Sequence, residues 1–275
     1  MSRAIFIALF VSLAAGTCAR GQLVEDYNPP PSNCCWQATA RTLADQMQDW
    51  DQLGRFHQAD EELMKQPPDP KRVVFLGDSI TEAWRLDQFF PGKPYVNRGI
   101  GSQTTPMMLV RTFPDVIDLH PAAVIILAGT NDIAQNTGPE TLTMVEENLM
   151  AITELAERHG IKVILCSVMP VSDYTLAPPR RGFMAGTSLG PNPPALAARQ
   201  IRTIQRPPAQ ILALDAWMKT YAASAGAIYA DYFSAVVDDK GMFREGYSDD
   251  GLHPNAKGFA LITPVAEDAI EKALQ

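Results

Sequence analysis

Two distant parts of the chain carry side chains of the types that catalyse acyl transfer. Near the C-terminus, Asp250 precedes His253 by three residues in a turn that contains Gly251. Such a turn can fold the carboxylate back onto the imidazole Nδ1, which leaves Nε2 facing a nucleophile. Ser79 follows an apolar run and begins a helical stretch, where a serine is equally suited to be a helix N-cap or a nucleophile. These residue types are those of a Ser-His-Asp triad.

A nucleophile of this kind needs hydrogen-bond donors for the oxyanion that forms during attack. Segment 97–105 contains glycines, follows a second apolar run and could turn a backbone N–H towards Ser79. Asn131 follows a third apolar run, and its side-chain amide would be a further donor. Acyl transfer requires an activated hydroxyl, a base with its orienting acid, and donors about 3 Å from the oxyanion. The sequence contains all of these groups in the order expected for successive strand ends.

Five apolar runs predict the β-strands that position these groups. They cover residues 72–76, 95–97, 122–128, 162–169 and 227–232. Helical periodicity separates them, most clearly over 139–159, where one apolar stripe ends at Gly160. This alternation predicts an α/β fold: a doubly wound, mostly parallel five-stranded sheet with helices on both faces, in the flavodoxin-like three-layer arrangement. In such a sheet, functional residues gather at the carboxyl ends of the strands.

The order of these motifs resembles that of the SGNH hydrolases, also called the GDSL esterase and lipase family. The resemblance covers about residues 72–274 and has four blocks: Gly77-Asp78-Ser79, residues 97–105, Gly129-Thr130-Asn131-Asp132, and Asp250 with His253. It implies that Ser79 is the nucleophile, that His253 is the base, and that Asp250 orients the base.

The resemblance also implies an oxyanion hole. Its donors would be the backbone N–H of Ser79, a backbone N–H of the second block and the Asn131 amide. Members of the family have glycine at the second-block position, where this chain has Ser102. The exchange keeps the backbone donor but not the conformational freedom of glycine. Gly101 therefore stays open as an alternative donor.

The triad and the resemblance together predict a secreted serine esterase that hydrolyses carboxylic esters, short-chain or O-acetyl, through an acyl-enzyme. A lysophospholipase, a thioesterase or an acyltransferase on the same scaffold is the alternative, and a catalytically inactive carbohydrate-binding module is a remote one. The chemistry calls for no metal ion and no organic cofactor. The expected partner is a small-molecule or carbohydrate ester, and the sequence leaves the oligomeric state open.

Residues 1–21 have the features of a secretory signal peptide. Arg3 precedes a twelve-residue apolar stretch, 4–15, which is too short to span a bilayer, and small residues follow it. We therefore predict a secreted or periplasmic protein. Cys18 lies in a sequence that weakly resembles a lipobox, so lipid anchoring there is a less favoured alternative. Removal of residues 1–21 would change the net charge from −8 to −10.

The remaining chain is predicted to consist of a linker and helical arm over 22–70 and a catalytic domain over 71–275. In the arm, apolar residues recur at helical spacing, with a candidate break at Gly54. We favour packing of the arm on the main domain over a role in dimerisation. Within the catalytic domain, residues 170–208 contain eight prolines and should lie over the same sheet edge as the motifs. They form either a substrate-selecting lid or a surface insertion.

The Pro-rich insertion contains a second candidate nucleophile. Residues 186–190 match the G-x-S-x-G pattern of α/β-hydrolases around Ser188. That pattern requires a strand before it and a helix after it, and the flanking residues predict neither. We therefore favour Ser79. Phe183 and Met184 could give the insertion an apolar surface, which is the feature that would favour a lipid substrate.

Charge and cysteine content argue against several other classes. The chain has 23 Lys and Arg against 31 Asp and Glu and no basic patch, so we expect no nucleic-acid surface. The longest apolar stretch is too short for a stable membrane span. Cys34, Cys35 and Cys166 lack C-x-x-C spacing, which argues against a zinc site and a disulfide scaffold. We expect Cys34 and Cys35 to be free or paired with another chain, and Cys166 to be a buried small hydrophobic residue.

Overall fold

The computed structural model describes residues 40–41, 44, 47–175 and 201–275. The predicted signal peptide, Cys18, Cys34, Cys35 and most of the Pro-rich insertion, with Phe183, Met184 and Ser188, lie outside them. The chain divides into two units, Met1–Met47 and Gln48–Gln275. The described residues of the first unit are helical. The second unit contains the sheet and every described site residue.

Five parallel strands form one sheet, as the apolar runs predicted. They are β1 (Val73–Gly77), β2 (Tyr95–Gly99), β3 (Ala123–Leu127), β4 (Lys162–Cys166) and β5 (Ile228–Ala230). The strand order is β2-β1-β3-β4-β5, and all pairs are parallel. This order reverses direction beside β1, which is the place where doubly wound sheets open a crevice for ligands.

The register of the three central strands aligns the ends that precede the motifs. Gly77, the last residue of β1, pairs with Gly99 of β2 and with Leu127 of β3. The chain segments that follow these three residues therefore begin side by side at one edge of the sheet. This alignment places the three sequence blocks next to one another although up to 50 residues separate them.

Helices connect the strands and cover the sheet. They are α1 (His57–Met64), α2 (Ser79–Ala83), α3 (Leu86–Phe89), α4 (Thr105–Val110), α5 (Thr112–Asp115), a 3₁₀ helix (Ile117–Leu119), α6 (Thr130–Ile133), α7 (Leu142–Arg158), α8 (Arg202–Gln205), α9 (Pro208–Ala225), α10 (Tyr232–Val236) and α11 (Ala256–Ala273). Within the described residues, no helix is both long enough and apolar enough to cross a membrane.

The central strands β1 and β3 are buried along their whole length, as is β4 after Lys162, and alternate residues of these strands enter two separate cores. Val74 and Val124 pack with apolar residues of α4, α7 and α9, whereas Phe75 and Ile125 pack with residues of α2, α10 and α11. This two-sided burial explains why the strands read as continuous apolar runs rather than as alternating ones. The predicted three-layer α/β/α class is confirmed.

The element ends differ from the predicted ones by up to three residues. β4 ends at Cys166, although the N–H of Ser167 still donates to the carbonyl oxygen of Ala230 at 3.0 Å; the Ser167 hydroxyl accepts a hydrogen bond from the N–H of Phe233 at 2.8 Å. α7 begins at Leu142 rather than 139 because the Thr141 side chain caps it. Side-chain contacts of this kind have no signature in apolar periodicity.

The helical arm is interrupted near Gly54. Residues 47–48 are helical, residues 49–56 form turns apart from Gln52, and α1 starts at His57. α1 packs on α5 and on the 3₁₀ helix. Asp60 of α1 forms a buried ion pair with Arg98 of β2. This part of the arm is therefore attached to the same unit as the sheet.

Candidate active site

Ser79 lies at the junction between β1 and α2. Asp78, not Ser79, is the N-cap of α2, and its Oδ1 accepts a hydrogen bond from the N–H of Ile80 at 2.9 Å. The Ser79 side chain is therefore not needed for capping. Its Oγ lies 2.9 Å from Nε2 of His253. The structure thus brings together two residues that are 174 positions apart.

The turn from Ser248 to His253 presents the imidazole. Asp250 Oδ2 lies 2.8 Å from His253 Nδ1, while Asp250 Oδ1 accepts the backbone N–H of Leu252 at 3.0 Å and that of His253 at 2.8 Å. Gly251 has φ +77°, and a Cβ there would lie 2.0 Å from the carbonyl oxygen of Ser172. Only glycine fits this tight turn.

These hydrogen bonds keep Asp250 ionised. Partial burial alone would raise the pKa of its carboxyl. Hydrogen bonds from the backbone N–H and the ring of His253, and from the N–H of Leu252, outweigh that effect and lower the pKa of Asp250 to about 2. Asp249, the neighbouring acid, instead accepts a hydrogen bond from Asn255 Nδ2 at 2.9 Å. At neutral pH the negative charge of Asp250 therefore faces the imidazole.

The second-block loop adopts a left-handed turn at Ser102. Its φ is +66°, a conformation that glycine favours and that serine adopts at a cost of about 1–2 kcal/mol. The N–H of the neighbouring Gly101 donates to Glu82 Oε2 at 2.9 Å, so this group is already engaged. The N–H of Ser102 donates to none of the residues that the structure describes. Of the two candidate donors, Ser102 is the one whose N–H has no acceptor in the described part of the chain.

The Asn131 side chain is buried beside the same loop. Its Nδ2 donates to the carbonyl oxygen of Gln103 at 3.1 Å and makes a longer contact of 3.4 Å with Asp78 Oδ2. Its Oδ1 accepts from Asn136 Nδ2 at 2.9 Å. The amide group is therefore oriented by neighbours on both sides, with one N–H directed towards the Asp78–Ser79 junction.

Asp78 is fully buried under these groups. Desolvation raises the pKa of its carboxyl to about 6, although the hydrogen bond from Ile80 and the electrostatic interactions with His253 and Arg206 oppose this rise. A carboxyl that titrates close to neutral pH thus lies directly beneath the candidate nucleophile.

Two arginines at the end of the Pro-rich insertion contact the site, and sequence reasoning missed both. Arg202 donates from Nη2 to Asp250 Oδ2 at 3.1 Å. Arg206 donates from Nη2 to Asn131 Oδ1 at 3.2 Å. The only available signal was the expectation that segment 170–208 lies over the same sheet edge. The C-terminal end of this segment, residues 201–208, carries both arginines and contacts Asp250 and Asn131.

A cleft of about 650 Å³ opens beside the site. It is lined by Ile133, Ala134, Gln135, Asn136, Ile204, Gln205, Pro207 and Gln210. Four of these residues carry amide side chains, and none carries a charge. Asn136 of this lining contacts Asn131, so the cleft adjoins the Asn131 side of the candidate site.

Neither a metal-binding cluster nor a reactive thiol is found in the described part of the chain. No three His, Cys, Asp or Glu side chains cluster there so as to hold a metal ion. Cys166 is fully buried, and burial raises the pKa of its thiol to about 12, so it acts as a small hydrophobic residue.

Comparisons with known proteins agree with the fold. A protein of Bacteroides fragilis NCTC 9343 assigned to the acylhydrolases is 35% identical, with a TM-score of 0.69, over 82% of this chain and 99% of that one. A GDSL-like lipase of Bacteroides thetaiotaomicron VPI-5482 is 33% identical, with a TM-score of 0.66, over 81% and 98%.

Among curated proteins, the uncharacterized lipoprotein YqeF of Bacillus subtilis (strain 168) is 38% identical over 118 residues. The match covers 36% of this chain and 49% of that relative, so it spans about half of the relative's length. The model of the GDSL-like Lipase/Acylhydrolase family matches residues 75–261, which is more than half of the chain. The chain therefore belongs to the GDSL-like lipase and acylhydrolase family.

Proposed function

We propose that this protein is a serine esterase that uses Ser79, His253 and Asp250 as a catalytic triad. The observation that carries the proposal is the continuous chain of contacts from Ser79 Oγ to His253 Nε2, at 2.9 Å, and from His253 Nδ1 to Asp250 Oδ2, at 2.8 Å. A hydroxyl, a base and an ionised acid in this geometry suit proton abstraction followed by attack on a carbonyl carbon.

In the proposed reaction, the Ser79 hydroxyl proton moves to His253 Nε2 while Oγ bonds to the ester carbonyl carbon. The resulting imidazolium is stabilised by the charge of Asp250. His253 then donates the proton to the departing alkoxide, which leaves an acyl group on Ser79. Water attacks this acyl-enzyme by the same path in reverse and releases the acid.

The oxyanion would be held by the backbone N–H groups of Ser79 and Ser102 and by Nδ2 of Asn131. Two observations support this assignment. The N–H of Ser102 has no acceptor among the described residues. The second N–H of Asn131 makes only the 3.4 Å contact with Asp78, which is longer than a good hydrogen bond. A developing oxyanion would therefore compete well for both donors.

For the substrate, we propose a short-chain ester, with an O-acetyl group on a carbohydrate as the first choice. The described lining of the cleft beside Asn131 carries no charge, and it supports this choice because its amide side chains can both donate to and accept from sugar hydroxyls. Acetylated xylooligosaccharides should then be better substrates than long-chain p-nitrophenyl esters. In the Gln210→Ala variant, KM should rise for the oligosaccharide and stay constant for p-nitrophenyl acetate. A preference for the octanoate ester would contradict this choice.

The nucleophile can be tested by covalent labelling. A fluorophosphonate should modify Ser79, and Ser79→Ala should lower kcat by about 10⁴-fold or more. Ser188→Ala is the control, because Ser188 stands in the competing G-x-S-x-G pattern, and it should keep its turnover. Mapping of the adduct to Ser188 would overturn the proposed triad.

We further propose that the protein is exported through residues 1–21. The apolar stretch behind Arg3 supports this proposal, as does the lipoprotein name of the Bacillus relative. Mass analysis of the mature N-terminus should find a start near residue 20 or 22. A lipid-modified Cys18 would instead indicate anchoring, and an intact N-terminus would contradict export.

A further inference from the structure

Arg206 is a buried arginine whose guanidinium binds the two residues that form the start of α6. Its Nε donates to Thr130 Oγ1 at 2.9 Å, and its Nη2 donates to Asn131 Oδ1 at 3.2 Å. A third, long contact of 3.4 Å joins Nη1 to Gln205 Oε1. Only 4% of the Arg206 surface is exposed. The guanidinium therefore contacts the oxygen end of the Asn131 amide, while the nitrogen end contacts Gln103 and Asp78, the residue before Ser79.

This contact restricts the orientation of the Asn131 amide. Its oxygen accepts hydrogen bonds from both Arg206 and Asn136, so a rotation of the amide by 180° would place an NH₂ group against two donors. The same two donors draw electron density towards the oxygen and make the opposite N–H groups better donors. Arg206 thus acts on the far side of the group proposed to bind the oxyanion.

Arg206 forms no direct ion pair with the residues that the structure describes. No carboxylate of the described residues lies within 4.0 Å of it, and its acceptors are neutral oxygens. Burial and the nearby charge of Arg202 lower the pKa of Arg206 to about 10, so it remains charged at neutral pH. Burying such a cation without a close partner is costly. Negative charge that develops beside Asn131 during the reaction would offset that cost.

We propose that Arg206 is a positioning residue for oxyanion stabilisation, which acts through Asn131 rather than by touching the substrate. The inference rests on the proposed function, because it requires Asn131 to bind the oxyanion. It also gives the end of the Pro-rich insertion a role that is independent of any lid.

The segment that carries Arg206 is itself fixed in place. Asp173 Oδ1 accepts the backbone N–H of Arg202 at 2.8 Å and that of Thr203 at 3.3 Å. Nε of Arg202 donates to the backbone oxygen of Asp250 at 3.1 Å, and Nη2 of Arg202 donates to Asp250 Oδ2. Arg202, the first residue of α8, therefore contacts the triad acid Asp250, and Arg206, which directly follows α8, contacts the Asn131 amide.

A double-mutant cycle tests whether Arg206 acts through Asn131. We would measure kcat and KM of the wild-type protein, Asn131→Ala, Arg206→Met and the double variant with p-nitrophenyl acetate. Arg206→Met should lower kcat by about 10- to 100-fold with little change in KM, because a displaced donor weakens only the transition state. Asn131→Ala should lower kcat by about 10²- to 10³-fold. The double variant should be no slower than Asn131→Ala alone. Multiplicative losses in the double variant would overturn the inference.

Three further variants separate this role from a structural one. Arg206→Lys keeps the charge but lacks the rigid planar fork that places two donors against Thr130 and Asn131, so it should restore only part of kcat. Arg158→Met, on the exposed end of α7, is the matched control and should leave kcat unchanged. If Arg206→Met fails to fold, Thr130→Val removes one acceptor of the guanidinium and should show a smaller kcat loss with the same non-additivity. An additive result there refutes the inference equally.

The outcome can be distinguished from a failure of the proposed function. If Ser79→Ala keeps turnover, or if Asn131→Ala loses none, the triad or the oxyanion hole is wrong and the inference falls with it. If the fluorophosphonate labels Ser79 and Asn131→Ala is slow, but the cycle is additive, only the role of Arg206 is refuted.

Discussion

Replacing Asp78 by asparagine should make the protein's stability less sensitive to pH. Burial raises the pKa of this carboxyl from its ordinary value of 3.8 to about 6. Between about pH 4 and pH 6, the folded protein therefore holds a proton that the unfolded chain has released. The stabilisation from this proton is complete below about pH 4 and is lost as the pH rises through 6. Asparagine is a good N-cap and does not titrate, so it should keep the cap of α2 without this cost.

The size of the effect follows from the difference between the two pKa values. At about 1.4 kcal/mol for each pKa unit, ionisation of Asp78 costs the folded state about 3 kcal/mol at pH 8. At pH 4.5 about two thirds of this cost is removed, because most of the folded protein is then protonated at Asp78. The free energy of unfolding of Asp78→Asn, relative to wild type, should therefore be about 2 kcal/mol higher at pH 8 than at pH 4.5.

Urea unfolding followed by tryptophan fluorescence at these two pH values measures this difference. Constant effects of the substitution, such as a new amide facing Asn131, cancel because they are the same at both pH values. The other titrating groups are common to both proteins. Asp118→Asn removes an exposed carboxyl and is the control. If the stability gap between Asp78→Asn and wild type is equal at pH 8 and pH 4.5, the buried carboxyl does not titrate as argued.

Two further substitutions test the backbone of the site. Ser102→Gly should keep kcat within about twofold, since the donor is a backbone N–H and glycine readily adopts φ +66°. Ser102→Val should lower both kcat and Tm. Equal activity of the two variants would argue against a fixed left-handed turn. Gly251→Ala should lower kcat by about 100-fold or more because its Cβ would meet Ser172 at 2.0 Å and shift the turn that carries His253. Gly241→Ala is its control: φ is +78° there as well, but the space around it is open, so only about 1 kcal/mol of stability should be lost and kcat should not change.

Much of the fold could be predicted from local sequence patterns. Strands buried on both faces are continuous apolar runs, and helices between them carry one apolar stripe, so five strands and the α/β class follow from short segments. The handedness and short connections of such units restrict the order in the sheet but do not select one, so the order was decided by the tertiary structure. Exact ends could not be predicted, because single side-chain contacts such as the Thr141 cap of α7 decide them.

The candidate triad was also accessible from the sequence, for a geometric reason. Asp250 and His253 lie within one turn, so their contact is local, and Ser79 follows a strand whose end must lie at the ligand-binding edge of a parallel sheet. The catalytic roles of these residues stay predictions. What the spacing could not supply was the 2.9 Å approach of Ser79 to His253, which depends on how α11 and the sheet pack.

Three features of the site depended on the tertiary structure alone. The raised pKa of Asp78 arises from complete burial, which is a property of all the elements packed around it. The left-handed turn at Ser102 overrides the local preference of serine, since contacts on both sides of the loop hold it. Arg202 and Arg206 reach Asp250 and Asn131 from 48 and 75 residues away. A long, flexible side chain can contact any residue that the fold brings near it, so no spacing in the sequence predicts such contacts.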